Sequence, residues 1–179
     1  GFIRPESITR IYSNQSLPVL HISVLDEKGT IFVSTNPGLL ANNRNYREYF
    51  RQHETRDLRL LLVSKAVPLQ LSQGNAVWTF HLSYRFNKPN GSFGGVVVAA
   101  VNPLYFAKIF RQMDLGEEAL ISMQDLDGNV LARQLNDSFS AGMNIAGADL
   151  YKHVKEAERG FYITTSSIDN VRRFVSYFR

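Results

Sequence analysis

Residues 77–86 alternate in character. Trp78, Phe80, Leu82 and Tyr84 fall on one face of an extended chain; Thr79, His81, Ser83 and Arg85 fall on the other. This is the pattern of a strand with one apolar face. Gly94 to Asn102 forms a second long strand, too apolar to meet water on either side, so it predicts burial on both faces. Asn90-Gly91 marks the turn between the two. Upstream, Val19 to Leu25 and Ile31 to Val33 are rich in β-branched residues and flank Asp26-Glu27-Lys28-Gly29, which predicts a hairpin. Residues 36–43 read as a loop, and Arg59 to Ser64 as a short strand. Helical spacing appears four times. Residues 5–16 read as the end of an N-terminal helix. Tyr46, Tyr49, Phe50 and His53 form a stripe at i, i+3, i+4 and i+7, with Asn45 as N-cap and Glu48 as its capping-box partner. Phe106, Ile109, Phe110 and Met113 follow an Asn102-Pro103 start. Leu150, Val154 and Ala157 mark a helix over 149–159, with Gly160 as its stop. Hairpins are expected at 119–133 and 161–179.

The order of elements repeats. LDEKGTIFVS (25–34) and QDLDGNVLAR (124–133) align without a gap, matching Asp26 to Asp125, Gly29 to Gly128 and Ile31 to Val130. Each is followed by a loop, a helix and another hairpin. The fold class is therefore α+β, with two copies of one module, each an antiparallel sheet flanked by helices. The expected division is 1–16 for the end of the N-terminal helix, 17–113 for the first module and 114–179 for the second. The second is shorter and expected to lack its last strand.

Composition narrows the classes. The chain has 179 residues, 44% hydrophobic and 20% charged, ordinary values for a folded chain. The run Gly94 to Val101 is too short to cross a bilayer, and no signal peptide opens the sequence. The chain opens on Gly-Phe and stops at Arg179 within an expected strand, so it is expected to be a piece of a longer protein. Net charge is +4, with a basic cluster at Arg44, Arg47, Arg51, Arg56 and Arg59. The remaining Lys and Arg are scattered, so a solvated basic surface is expected and no nucleic-acid partner. Without cysteine there is no disulfide or thiolate chemistry, a composition compatible with the periplasm.

Catalytic signatures are missing. His21, His53, His81 and His153 have no metal-ligand spacing, and no nucleophile elbow, P-loop or dinucleotide fingerprint occurs. Asp125 and Asp127 read as hairpin-turn residues ahead of an acid–base pair. No enzyme, cofactor or metal is expected. Arg47 borders the aromatic stripe about 100° around the helix from Tyr46. Two readings stay open for it: pairing with an acid such as Glu48 or Asp57, or holding an anionic ligand.

The ordered motifs resemble the double Cache (tandem PAS-like) sensor domain of bacterial membrane receptors. They are the Asp26/Gly29 hairpin, Arg47-Glu48-Tyr49-Phe50, LSYRF (82–86), NGSFGGVVVAAVNPLYF (90–106), LGEEALI (115–121) and DLDGNVLAR (125–133). The run 82–133 is most similar to sensors placed before GGDEF diguanylate cyclase domains; relatives precede histidine kinases and chemoreceptor signalling domains. The resemblance implies a periplasmic domain of an inner-membrane protein, flanked by transmembrane helices, dimeric in the full receptor, and binding a small molecule. It also places a helix over the polar face of 77–86, making that row the wall of a cavity. The residues implied to line it are Arg47, Tyr49, Trp78, His81, Ser83, Arg85 and Asn102, with Arg47 and Arg85 holding a small anion such as a carboxylate. Asn102 is equally placed to cap the following helix. Tyr46 stands where relatives carry Asp, and Glu48-Tyr49 replaces the Trp-Tyr pair of amino-acid binders, so amino-acid recognition is not carried over. The alternative function is a periplasmic protein-interaction module with no small ligand. If one module binds a ligand, the first is expected to be that module.

Overall fold

The structure, a computed structural model, describes residues 18–45, 47–70, 76–113, 115–116 and 118–179. The expected N-terminal helix end and Tyr46 lie outside them. The chain is α+β, with antiparallel sheets throughout. The first hairpin is β1 (Val19–Asp26) and β2 (Ile31–Ser34). Helix α1 spans Glu48–Thr55. Two short strands, β3 (Leu62–Val63) and β4 (Val67–Gln70), precede the long pair β5 (Ala76–Asn87) and β6 (Phe93–Val101). Helix α2 spans Leu104–Arg111. Then follow β7 (Leu120–Gln124), β8 (Val130–Leu135), β9 (Ser138–Ser140), α3 (Leu150–Glu156), β10 (Arg159–Thr165) and β11 (Arg172–Phe178).

The first sheet has the order β2-β1-β6-β5-β3, with β4 also on β5. Strand β6 lies at its centre, which is why it reads as apolar on both sides. Its Val96, Val98 and Ala100 are buried on one face and Val101 on the other. α1 lies on the first of these faces. Phe50 is fully buried there with Leu25, Ile31, Tyr49, Val96 and Val98, and burying such a side chain contributes about 1.5–3 kcal/mol. At the β1–β6 edge a Cβ on Gly95 would lie 1.9 Å from the Leu25 carbonyl oxygen, so only glycine fits. The opposite face meets the second half of the chain. Phe80 and Val101 share a core there with Ala66, Leu131 and Ala141, and α2 adds Phe106.

The repeat survives in atomic detail. The Lys28 and Thr30 amides donate to Asp26 Oδ1 at 2.9 Å. The Asp127 and Asn129 amides donate to Asp125 Oδ1 at 3.0 and 2.8 Å. Gly29 and Gly128 hold φ of +83° and +87°. A loop closes on each turn: Arg44 N donates to Gly29 O and Ile145 N to Gly128 O, both at 2.8 Å. Asn43 Nδ2 donates to Lys28 O at 2.9 Å, and Asn144 Nδ2 to Asp127 O at 3.1 Å.

Several boundaries differ from the sequence reading. Asn45 is not the cap of α1. Asn43 Oδ1 accepts its amide at 3.0 Å, and the segment is held against the Gly29 turn. The helix starts at Glu48 with Arg47 in the cap position, and no side chain caps it. Gly160 is not a helix stop; it lies in β10, where a Cβ would meet the Tyr177 hydroxyl at 2.7 Å. Strands β4 and β9 were not legible as strands. The second half does have its final strand pair; among the described residues it lacks counterparts of β3 and β4. It differs in one further way. In the first sheet β1 pairs with β6, whereas their counterparts β7 and β11 stay in separate sheets, β7-β8-β9 and β10-β11.

Candidate functional site

The face of the first sheet under α1 is the polar row of β5. Two positions on it are framework. His53, fully buried on α1, shares a hydrogen bond of 3.1 Å with Ser83. Burial, the largest influence, holds His53 below its ordinary pKa. Arg85 reaches the C-terminal end of α1, where its Nη1 donates to the carbonyls of His53 and Glu54. Its Nε donates to Asn87 Oδ1 at 2.6 Å, and the guanidinium lies 4.8 Å over the Phe93 ring. A cation at a helix C-terminus is favourably placed, and this one also fastens the helix to the sheet. Asp57, one acid the sequence offered to Arg47, lies 3.7 Å from Arg85 and 3.5 Å from Arg59. Glu48, the other, accepts from Gln52 Nε2 at 3.2 Å.

Further along the same face the character changes to cationic. His21 on β1 and His81 on β5 both pair with Ala100 of β6, so the two imidazoles flank one small side chain on one face. The Tyr49 ring lies 5.4 Å from that of His81, and Ser64 Oγ lies 3.4 Å from His81 Nδ1. Arg47, in the cap position of α1, and Arg44, in the loop that closes on Gly29, are near enough for their charges to act on His81. Burial first, then the positive field of Arg47, His21 and Arg44, pushes His81 down to about 4. His21 is lowered by burial and by Arg44. At neutral pH the His81 ring is uncharged, so the fixed positive charge comes from the two arginines.

Of the seven residues expected from the sequence, the fold therefore gathers Arg47, Tyr49 and His81 in one place. Ser83 and Arg85 sit further along that face and hold α1. Trp78 lies on the opposite face, in the core shared by the two halves; a Cβ on Gly142 would meet its ring at 2.4 Å. Asn102 Oδ1 accepts the Leu104 amide at 3.0 Å, so its side chain serves the start of α2. Sequence reasoning missed His21 and Arg44. The β1–β6–β5 register joins His21 to the site, and the loop closing on Gly29 brings in Arg44.

Among the described residues, one hollow borders this group at Tyr49 and Ser64, and another lies away from it. A crevice of about 200 Å3 between the halves is lined by Tyr49, Lys65, Asp125 and Asp127, among others. A larger cavity of about 630 Å3 lies in the second half, between β7, the β10-β11 hairpin and α3. None of the seven expected residues lines it. Among the described residues no group of His, Cys, Asp and Glu is arranged to hold a metal ion, and no helix is long and apolar enough to cross a membrane.

Residues 103–179 match a family model described as dCache_1_like, histidine kinase sensor domain. No curated protein matches the chain. Among solved structures, the extracellular domain of a protein described as a histidine kinase, rpHK1S-Z16, is 28% identical, with a TM-score of 0.83, over 98% of this chain and 70% of that one. The periplasmic sensory domain of the Campylobacter jejuni chemoreceptor Tlp1 is 12% identical, with a TM-score of 0.61, over 97% of this chain and 73% of that one. An extracellular ligand binding receptor from Desulfohalobium retbaense is 16% identical, with a TM-score of 0.58; the match covers 92% of this chain and 30% of the receptor. The fold is that of Cache and PAS-like sensor domains, and these neighbours are extracellular or periplasmic parts of receptors.

Proposed function

We propose that the chain is the extracytoplasmic ligand-sensing part of a bacterial transmembrane signalling protein, and that its first sheet binds a small organic anion. The family model and the 28%-identical structure both carry the description of a histidine kinase. They favour a kinase output over the diguanylate cyclase that the sequence resemblance placed first. The full receptor would be a dimer anchored by flanking helices. Ligand binding would shift a pre-existing equilibrium between two arrangements of that dimer.

The observation that carries the anion is the basic group at Arg44, Arg47, His21 and His81. Behind burial, the charges of Arg47, His21 and Arg44 add to the push that takes His81 down to about 4. A carboxylate beside Arg47 and Arg44 would relieve that field and gain charge-assisted hydrogen bonds, worth about 1.5–3 kcal/mol each. Tyr49 and His81 would supply the flat wall and a neutral hydrogen-bonding ring.

A thermal-shift screen against small carboxylates, amines, amino acids and nucleobases tests this. A ligand at about a hundred times its dissociation constant adds about 2.7 kcal/mol of stability. The expected result is a carboxylate hit that is lost in Arg47→Ala and weakened in Arg44→Ala. Amine hits alone would refute the anion, and no hit at all would favour a module that works by protein contact.

A further inference from the structure

The cavity in the second half owes its existence to a pairing that is not made. In the first sheet β1 lies hydrogen-bonded to β6 and no space remains between them. The counterparts β7 and β11 stand apart, and the cavity of about 630 Å3 lies where a closed sheet would run. Its volume is in the range of small-molecule sites, roughly 300–1,000 Å3.

The walls come from inward faces with a clear pattern. On the hairpin, Tyr162 pairs with Val175 and Thr164 with Arg173, and all four line the cavity. Phe161, Ile163 and Phe174 face the other way and are exposed. On the facing sheet, Ser122 pairs with Arg133, and both line the cavity. Phe106, Leu120 and Val154 add apolar surface. The body of the hollow is therefore apolar and aromatic.

Its polar groups are few and incompletely used. The buried atoms Ser122 Oγ, Gln124 Oε1 and Arg173 Nη2 have no hydrogen-bond partner, and all three residues line the cavity. A buried polar atom left unpaired is costly, so three around one hollow require an explanation. Charge points the same way. Arg133 and Arg173 are 9% and 13% exposed, and Asp169 lies between them at 3.4 and 2.8 Å. One further acid, Glu118, stands 3.9 Å from Arg173 Nη2, on a side chain 71% exposed and well screened by water. The acids that line the wall, Asp149 and Asp125, are engaged elsewhere. Asp149 accepts from Lys152 and Thr164, and Asp125 accepts from its own turn and from Asn129 Nδ2. Two desolvated guanidiniums thus share one well-placed carboxylate.

We propose that this cavity is a second ligand site, taking a small monocarboxylate with an aromatic or branched apolar body. The carboxylate meets Arg173 Nη2 and the Ser122 hydroxyl. The apolar body lies among Tyr162, Val175, Phe106 and Leu120. A hydroxyl on the far end of the ligand donates to Gln124. A cation would face two arginines, and a neutral apolar molecule would leave the three polar atoms unpaired.

Phenylacetate and 4-hydroxybenzoate, with phenylacetamide and phenethylamine as uncharged and cationic counterparts, form the probe set. Calorimetric titration of the whole chain is expected to show binding of the two carboxylates, at least tenfold weaker binding of the amide, and none of the amine. Arg173→Met keeps the apolar stem and removes the fork; it is expected to weaken at least tenfold the binding event that Tyr162 reports, and that event persists in Arg47→Ala, which removes only binding at the first sheet. Since Arg173→Met also loses the contact with Asp169, a second readout uses the unaltered chain: phenylacetate should shift the ring-proton resonances of Tyr162 and Tyr177. Absence of carboxylate binding overturns the proposal. So does equal binding of amide and acid, or binding that is lost in Arg47→Ala, kept in Arg173→Met and silent at Tyr162. That last result would place the carboxylate at the first sheet, leaving the reading of that site intact.

Discussion

Acid should unsettle this protein through His81. An unfolded histidine titrates near 6.5, whereas burial and the field of Arg47, His21 and Arg44 lower His81 to about 4. The folded chain therefore holds His81 neutral in a pH window where the unfolded chain protonates it. The unfolded state binds more protons there, so stability falls as pH falls from about 6.5 towards 4. At about 1.36 kcal/mol per pH unit, the gap amounts to at most about 3 kcal/mol. For a chain of this size each kcal/mol moves the melting temperature by about 2–4 °C, so His81 alone accounts for roughly 6–12 °C between pH 7.5 and 4. Carboxylates titrate in the same window, so the comparison must be a difference. His81→Gln keeps a polar group near Ser64 but cannot take up a proton. Urea unfolding of both chains at pH 7.5, 6, 5 and 4 should show the variant losing about 3 kcal/mol less than the parent on acidification. Arg47→Gln should fall between them, because it removes the second largest influence on His81. Proton NMR of the imidazole resonances gives the independent check. Titration of His81 near 6.5, or parallel stability curves for parent and His81→Gln, would refute the reasoning.

Arg85→Ala removes the donors to the His53 and Glu54 carbonyls and the contact with Phe93; it should destabilise by roughly 2–4 kcal/mol. Thermal melts check this, with Arg85→Lys recovering less than half; a loss under about 1 kcal/mol would show that α1 does not need the clasp. Gly29→Ala and Gly91→Ala separate two penalties, since φ is +83° and +84° but only Gly29 has neighbours within 4 Å, the backbone of Asn45 among them. Gly91→Ala should cost about 1 kcal/mol and Gly29→Ala clearly more by the same urea assay; equal losses would mean that the loop moves aside freely. Asp169 is held well below the ordinary carboxylate range, first by its hydrogen bond from Arg173. Its contribution is present above about pH 4 and is lost as the solution is acidified through the folded value, so Asp169→Asn should lower stability at pH 6 and flatten the acid limb of the curve.

The long strands, both hairpin turns and the repeat were legible because periodicity and turn chemistry are local. Trp78 to Arg85 shows its two faces in eight letters, and Asp-x-x-Gly announces its own hydrogen bonds. The site was legible only where one helix or one strand carried it, as with Arg47, Tyr49 and His81. His21 joins them through a register spanning three strands, and no local pattern encodes a register. Trp78 and Phe80 looked like the core of one module because their face is apolar; the sequence does not say that the surface meeting them is Leu131 and Ala141. The cap of α1 was misplaced because Asn43, two residues earlier, competes for the Asn45 amide. The cavity in the second half was invisible for a simpler reason. It results from strands that do not pair, and each of those strands reads as an ordinary strand.

The matched turn-and-loop clips have a kinetic consequence. Their bonds join residues only two to seventeen positions apart, from Asp26 to Lys28 and from Asn43 to Lys28 in one copy. Their counterparts run from Asp125 to Asp127 and from Asn144 to Asp127. Closing such short loops costs little chain entropy, whereas bringing Leu131 to Phe80 closes a far longer one. Each half thus carries its own nucleus, and both can form before the halves meet. The shared core of Phe80, Val101, Leu131 and Ala141 then forms late, so substitutions there should mainly speed unfolding, and substitutions in the clips mainly slow folding.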